Sequence, residues 1–154
     1  MGSAANRNEI SATSSRCVGR RHLPPGTGPY MVGTVDVMYE HSEDGAFFRL
    51  YYPTPKTDIF KKYKQWPLWL PRKEYGLGYV HFLGKNPKVF GKLFNWLGGD
   101  VYVPAVWQAP MLRSDGKFPV LVLSHGLGGN RTTYTTFCCN LASHGFVVAA
   151  LEHR

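Results

Sequence analysis

One segment constrains this chain more than any other. An unbroken apolar run, Pro119-Val120-Leu121-Val122-Leu123, stops abruptly at Ser124-His125-Gly126-Leu127-Gly128-Gly129. A short continuous run of this kind is the signature of a strand buried on both faces, as in parallel sheets. A helix is expected next, with Tyr134, Phe137, Cys138, Leu141 and Ala142 spaced to form one buried face. His144 falls in its last turn and Gly145 just past it, where a left-handed residue closes many helices. Phe146-Val147-Val148-Ala149-Ala150-Leu151 reads as a second buried strand. Strand, glycine loop, helix and strand make a βαβ unit, which requires parallel strands and a right-handed crossover. The expected fold class is α/β with a mostly parallel sheet.

Upstream, organisation begins after Leu23-Pro24-Pro25-Gly26. Met31 to Met38 and Ala46 to Tyr52 are β-rich runs, and the polar cluster His41-Ser42-Glu43-Asp44-Gly45 between them predicts an antiparallel hairpin closed off by Pro53 and Pro55. Helices are predicted near Arg72 to Gly84 and near Pro87 to Leu97. A short extended stretch, Val101 to Trp107, leads to a turn at Arg113-Ser114-Asp115-Gly116. Residues 1–22 read as a flexible leader, with neither an apolar core for a signal peptide nor Ser or Thr at position 6 for a myristoylation signal. Cys17, Cys138 and Cys139 give neither a disulfide framework nor metal spacing, so a reducing compartment is expected and no metal or cofactor is implied. Asn130-Arg131-Thr132 is a glycosylation sequon, read as fortuitous because it sits in the glycine loop.

Glycine-rich loops between a strand and a helix serve two chemistries: cradling phosphates, or presenting N–H groups to an oxyanion. Gly126, Gly128 and Gly129 fit neither the dinucleotide pattern G-x-G-x-x-G nor a P-loop ending in Gly-Lys-Ser/Thr. His-Gly-x-Gly straight after a buried strand fits the oxyanion loop of α/β-hydrolases. Attack on an ester carbonyl builds negative charge on oxygen, and fixed N–H donors lower that barrier by about 3–4 kcal/mol. Glycines let the amides turn inward without Cβ interference.

The resemblance then becomes specific. Leu123-Ser124-His125-Gly126-Leu127-Gly128, Arg131-Thr132 with Tyr134, Leu141 to Ala149 and Glu152-His153-Arg154 resemble the platelet-activating-factor acetylhydrolase family. Thr27-Gly28-Pro29, Phe47 to Pro53, Trp69-Leu70-Pro71 and Lys73-Glu74-Tyr75 resemble it too. Members are calcium-independent serine esterases that remove acetyl or short oxidised acyl groups from the sn-2 position of phospholipids. The resemblance implies a phospholipid substrate, no cofactor, and the Leu127 backbone N–H as one oxyanion donor, with His125, Gly126 and Gly128 bracing its loop. No G-x-S-x-G occurs in the sequence, and a hydrolase triad follows the oxyanion loop in chain order. Residues 23–154 are therefore expected to be the N-terminal portion of an α/β-hydrolase domain, incomplete, stopping before the nucleophile elbow and inactive alone.

Other residues invite roles. Ser124 beside His125 suggests a dyad, but neighbouring strand residues point to opposite faces. His153 reads as structural at a strand end, since triad order places no base there. Cys138 and Cys139 read as core rather than as a redox site. The helix near Pro87, capped by Asn86, sets Phe90, Leu93, Phe94 and Leu97 against Lys85, Lys88 and Lys92, with Trp96 at the boundary. It reads either as a helix packed on the sheet or as an amphipathic interfacial helix. By the resemblance, Phe90, Leu93, Phe94, Trp96 and Leu97 would meet a membrane or lipoprotein surface. With no signal peptide seen, a cytoplasmic location with such membrane association is expected. The net charge of +8 comes with no nucleic-acid-binding signature, so nucleic acid is not an expected partner. Two rival readings stay open: another carboxylesterase of the dienelactone- or polyester-hydrolase type, and a non-catalytic lipid-surface module.

Overall fold

The computed structural model describes residues 20–42, 44–56, 62–113 and 116–153. Most of the expected leader, with Cys17, lies outside them, as do Lys61 and the centre of the turn expected at Arg113–Gly116. Residues 20–22 are already bonded to the domain. The Arg21 carbonyl accepts from the Tyr102 N–H at 2.9 Å, and His22 bridges to Tyr102.

The sheet is built from β1 (Met31–Tyr39), β2 (Ala46–Thr54), β3 (Val106–Trp107), β4 (Val120–Leu123) and β5 (Val147–Glu152). Its order is β3-β1-β2-β5-β4. The predicted hairpin β1–β2 is antiparallel, with Val35 opposite Leu50. The predicted βαβ unit is present, because β4 and β5 are parallel neighbours joined through helix α3 (Thr135–Ser143). The sheet is mixed rather than mostly parallel, since β2 meets β5 antiparallel. Reversal of the chain in the hairpin dictates this.

Three local expectations need correction. Pro53 does not end β2 but pairs with Val32 inside it. Pairing of β2 with β5 reaches only to Tyr51, so Pro53 sits where one side of the strand has no ladder to break. β4 is not buried on both faces: Val120 and Val122 are 66% and 68% exposed. It lies at the sheet edge, and α3 packs on β1, β2 and β5 but not on β4. Helix α3 is turned from its expected face by one residue. Thr135, Cys138, Cys139, Ala142 and Ser143 are buried, while Tyr134 and Phe137 stand out. Its ending matches the sequence reading, with Gly145 at φ +95°.

The core forms where α3 lies on β2 and β5, around Val32, Tyr51, Val103, Cys138, Ala142 and Val148. The Tyr51 hydroxyl finds its partner in Thr135 Oγ1 at 2.9 Å. Burial pushes the Cys138 thiol up to about 12 and raises that of Cys139 as well. Both stay protonated and unreactive, consistent with a core role.

Helices α1 (Lys73–Phe82) and α2 (Pro87–Gly98) form a separate hairpin. The α2 start follows expectation: Asn86 Oδ1 accepts from the Lys88 N–H at 2.9 Å, with Pro87 in the first turn. Packing on the sheet does not occur, since α2 meets α1 and none of the strands.

Candidate active site

The loop after β4 sits at the carboxyl ends of the parallel pair, where open α/β sheets place their ligands. A turn closes it, with the Gly129 N–H donating to the Gly126 carbonyl at 3.0 Å and Gly128 at φ +74°. Only glycine holds that φ without strain, and here a side chain would also have to displace the Phe82 ring. A Cβ on Gly128 would lie 2.7 Å from the Phe82 ring at the end of α1. The turn leaves its second residue free. Leu127 is 93% exposed, and its N–H joins no hydrogen bond among the described residues.

The His125 ring meets the loop, its Nδ1–H donating to the Gly126 carbonyl at 2.9 Å. Among the described residues Ser124 and His125 form no hydrogen bond to each other. Ser124 Oγ turns instead to His153 Nε2 at 2.9 Å, and the His125 and His153 rings meet edge to face at 4.3 Å. His153 thus ties the ends of β4 and β5 together.

Beneath the loop lies a charge network that the sequence reading missed. Arg49 grips Asp36 with both arms, Nε to Oδ1 at 2.6 Å and Nη2 to Oδ2 at 2.9 Å. Arg131 bridges the same Asp36, 3.0 Å from Nη2, to Glu152, 2.7 Å from Nη1, and also meets the Tyr75 hydroxyl. Its guanidinium lies over the Phe47 ring at 4.4 Å. Two buried arginines against two carboxylates balance in charge, which such burial requires. Burial by itself would raise the Asp36 carboxyl, but hydrogen bonds from Arg49 and Arg131 outweigh it and hold the group below its usual range. His125 Nε2, buried and without a hydrogen bond among the described residues, faces Glu152 Oε1 at 3.9 Å. A signal was present in the sequence: Asp36 and Arg49 interrupt apolar strand runs, and charges there demand partners.

Asn130 is 7% exposed, and its amide is spent internally. Oδ1 accepts from the Thr132 N–H at 2.8 Å and Nδ2 donates to the Tyr79 hydroxyl at 2.9 Å. The sequon asparagine offers no free amide in this fold. Between α1 and the loop runs a cleft of about 430 Å³, lined by Tyr75, Tyr79, Phe82, Gly128, Gly129 and Glu152 among others. Among the described residues no cluster of His, Cys, Asp and Glu could hold a metal.

The expected interfacial residues divide. Phe90, Leu93, Trp96 and Leu97 are 44%, 48%, 71% and 52% exposed. Phe94 instead turns into the α1–α2 seam against Tyr79, with ring centroids 5.8 Å apart. Val89, absent from the sequence reading, joins the exposed set at 64%. No described helix is long and apolar enough to cross a membrane.

A strand-borne glycine loop with a free amide, set on a mixed sheet beside a βαβ crossover, defines the α/β-hydrolase class. A ferulic acid esterase from Streptomyces cinnamoneus shares the fold at TM-score 0.56 and 20% identity, over 88% of this chain and 37% of the esterase. The chain belongs to the family described as platelet-activating factor acetylhydrolase, isoform II, which it matches over residues 15–154. Among curated relatives, the platelet-activating factor acetylhydrolase of Canis lupus familiaris is 42% identical over 99% of this chain and 33% of its own length. That of Bos taurus is 44% identical over 89% of this chain and 29% of its own. A putative phospholipase A2 of Schizosaccharomyces pombe is 31% identical over 88% and 33%. The chain spans about a third of the length of the relatives it matches.

Proposed function

We propose that the complete protein hydrolyses acetyl or short oxidised acyl esters at the sn-2 position of glycerophospholipids through a serine acyl-enzyme. In this reading Leu127 supplies one oxyanion N–H. The second donor and the Ser-Asp-His triad come from sequence outside these 154 residues, which hold no G-x-S-x-G. The observation that carries the reading is the unclaimed Leu127 amide in a turn that meets His125 and Phe82. Donors that need not reorganise as charge develops are what oxyanion stabilisation requires. Family membership favours a phospholipid over the substrates of other carboxylesterases. The test is turnover of a short-acyl glycerophospholipid by the complete protein, with an organophosphate to trap the nucleophile. A pre-steady-state burst and one labelled serine are expected, and the 154-residue chain alone should be inactive. Absence of turnover by the complete protein sinks the reading.

A lipid surface is the second element. The exposed apolar residues of α2, with Lys85, Lys88 and Lys92 exposed beside them, have the make-up of a helix lying in a membrane interface. Such contact would hold the protein at the surface of its substrate. Co-sedimentation with anionic vesicles should fall at least tenfold for a Trp96→Glu, Leu97→Glu variant, given the area and charge terms of interfacial binding. Undiminished binding would rule this face out.

A further inference from the structure

We propose that Tyr79 is a positioning residue that sets the oxyanion loop through its hydroxyl, an inference that rests on the reading of Leu127 as an oxyanion donor. Helix α1 reaches the loop at three places: Tyr75 at Arg131, Phe82 against Gly128, and Tyr79 between them. The Tyr79 contact closes a ring. The Asn130 N–H donates to Thr133 Oγ1 at 2.9 Å, Thr133 Oγ1 meets the Tyr79 hydroxyl at 2.6 Å, and Asn130 Nδ2 donates to that hydroxyl at 2.9 Å. Asn130 Oδ1 is meanwhile held by the Thr132 N–H and by Thr132 Oγ1, at 2.8 and 2.7 Å. These bonds fix which end of the amide faces Tyr79, and with it the backbone at residue 130, three residues from Leu127.

The geometry separates Tyr79 from a residue that merely fills space. Its ring packs on Phe94 and so joins the hairpin seam, while its hydroxyl is spent wholly on the segment following the turn. Removing the oxygen leaves the ring packing intact. It strands the Asn130 Nδ2 donor, whose residue is 7% exposed, and a buried donor without a partner drives the local backbone to rearrange. Small displacements of preorganised groups cost rate rather than ground-state affinity.

The experiment compares wild type with Tyr79→Phe and Thr133→Val in the complete protein. Steady-state kinetics, affinity for a trifluoromethyl ketone that forms a tetrahedral adduct, melting temperature and residue-resolved amide exchange are measured together. Tyr79→Phe should lower kcat about tenfold with KM within about twofold, and weaken the ketone in step, since both report transition-state contacts. Thr133→Val should act in the same direction, and the double variant should lose less than the product of the two, as one shared ring requires. Amides of Leu127 and Gly128 should exchange faster in Tyr79→Phe. A lowered melting temperature with kcat and ketone affinity unchanged would overturn the proposal, as would a rise in KM alone. If the wild-type protein proves inactive, the hydrolase reading fails separately. Exchange at Leu127 and Gly128 then still decides whether Tyr79 holds the turn, and equal rates in the two proteins would end the claim.

Discussion

Helices α2 and α3 both show a helical apolar period in the sequence, and the fold uses the two in opposite ways. In α3 the buried residues are Thr135, Cys138, Cys139, Ala142 and Ser143, while Tyr134 and Phe137 remain 45% and 54% exposed. In α2 the buried residues are Gly91 and Gly98, and the bulky residues other than Phe94 face outward. Each helix turns its small side inward because something lies very close. The segment around Gly28 crosses the end of α3, where a Cβ on Gly28 would sit 2.0 Å from the Ser143 carbonyl oxygen. The Leu77 side chain of α1 rests on Gly91, where a Cβ would sit 2.4 Å from it. What differs is the far side of the contact. The small face of α3 closes on the sheet and completes the core, whereas α2 meets α1 and no strand, with Arg21 donating to its Trp96 and Leu97 carbonyls. Stability therefore resides at α3, and the bulky apolar residues of α2 are left available for a surface.

The sharpest way to break this contrast is a charge at each helix. Ala142→Glu on α3 puts an unpaired carboxylate at a site with no solvent access, and should cost more than about 4 kcal/mol or abolish cooperative unfolding. A denaturant midpoint close to wild type would show that the α3 face is not closed.

Acid should come next in size, acting on the sheet side through Asp36. Asp36 has its pKa depressed in the folded protein, so the unfolded chain binds its proton more readily. The stabilisation is fully present above the ordinary aspartate value of 3.8 and is lost as pH falls through the lower folded value. Asp36→Asn should lower stability at neutral pH and flatten the acid limb of the melting profile. An acid limb unchanged by the substitution would place the titrating group elsewhere.

The smallest effect belongs to α2. Trp96→Glu, at a position 71% exposed, should shift stability by no more than about 0.5 kcal/mol even where it abolishes vesicle binding. A larger loss would mean that the hairpin packs against the domain through this face after all.

Much of the fold was legible in the chain. The β1–β2 hairpin, though not the run of β2 through Pro53, the βαβ unit and the helix starting at Pro87 all follow from local signals: turn residues, a cap and an apolar run. The site was legible in part. Gly126, Leu127 and Gly128 announced a turn, and the turn is there, with Gly128 left-handed as its geometry demands. Helix orientation was not legible, because a hydrophobic period marks two or three candidate faces and close approach selects among them. The placement of Phe94 is one instance, since only the seam with Tyr79 distinguishes it from Phe90. The charge network was hidden for a different reason: Asp36, Arg49, Arg131 and Glu152 are scattered along the chain, and nothing local pairs them.

The sequence by itself determined the element types, the strand–loop–helix order and the turn at Gly126–Gly129, because backbone propensity and glycine's freedom act over a few residues. Only the tertiary structure decided which helix faces are closed, that β4 lies at an edge, and that four scattered charges and Tyr79 converge behind the loop. Those outcomes depend on distances between segments far apart in sequence, where steric fit and charge compensation are settled only once the chain has packed.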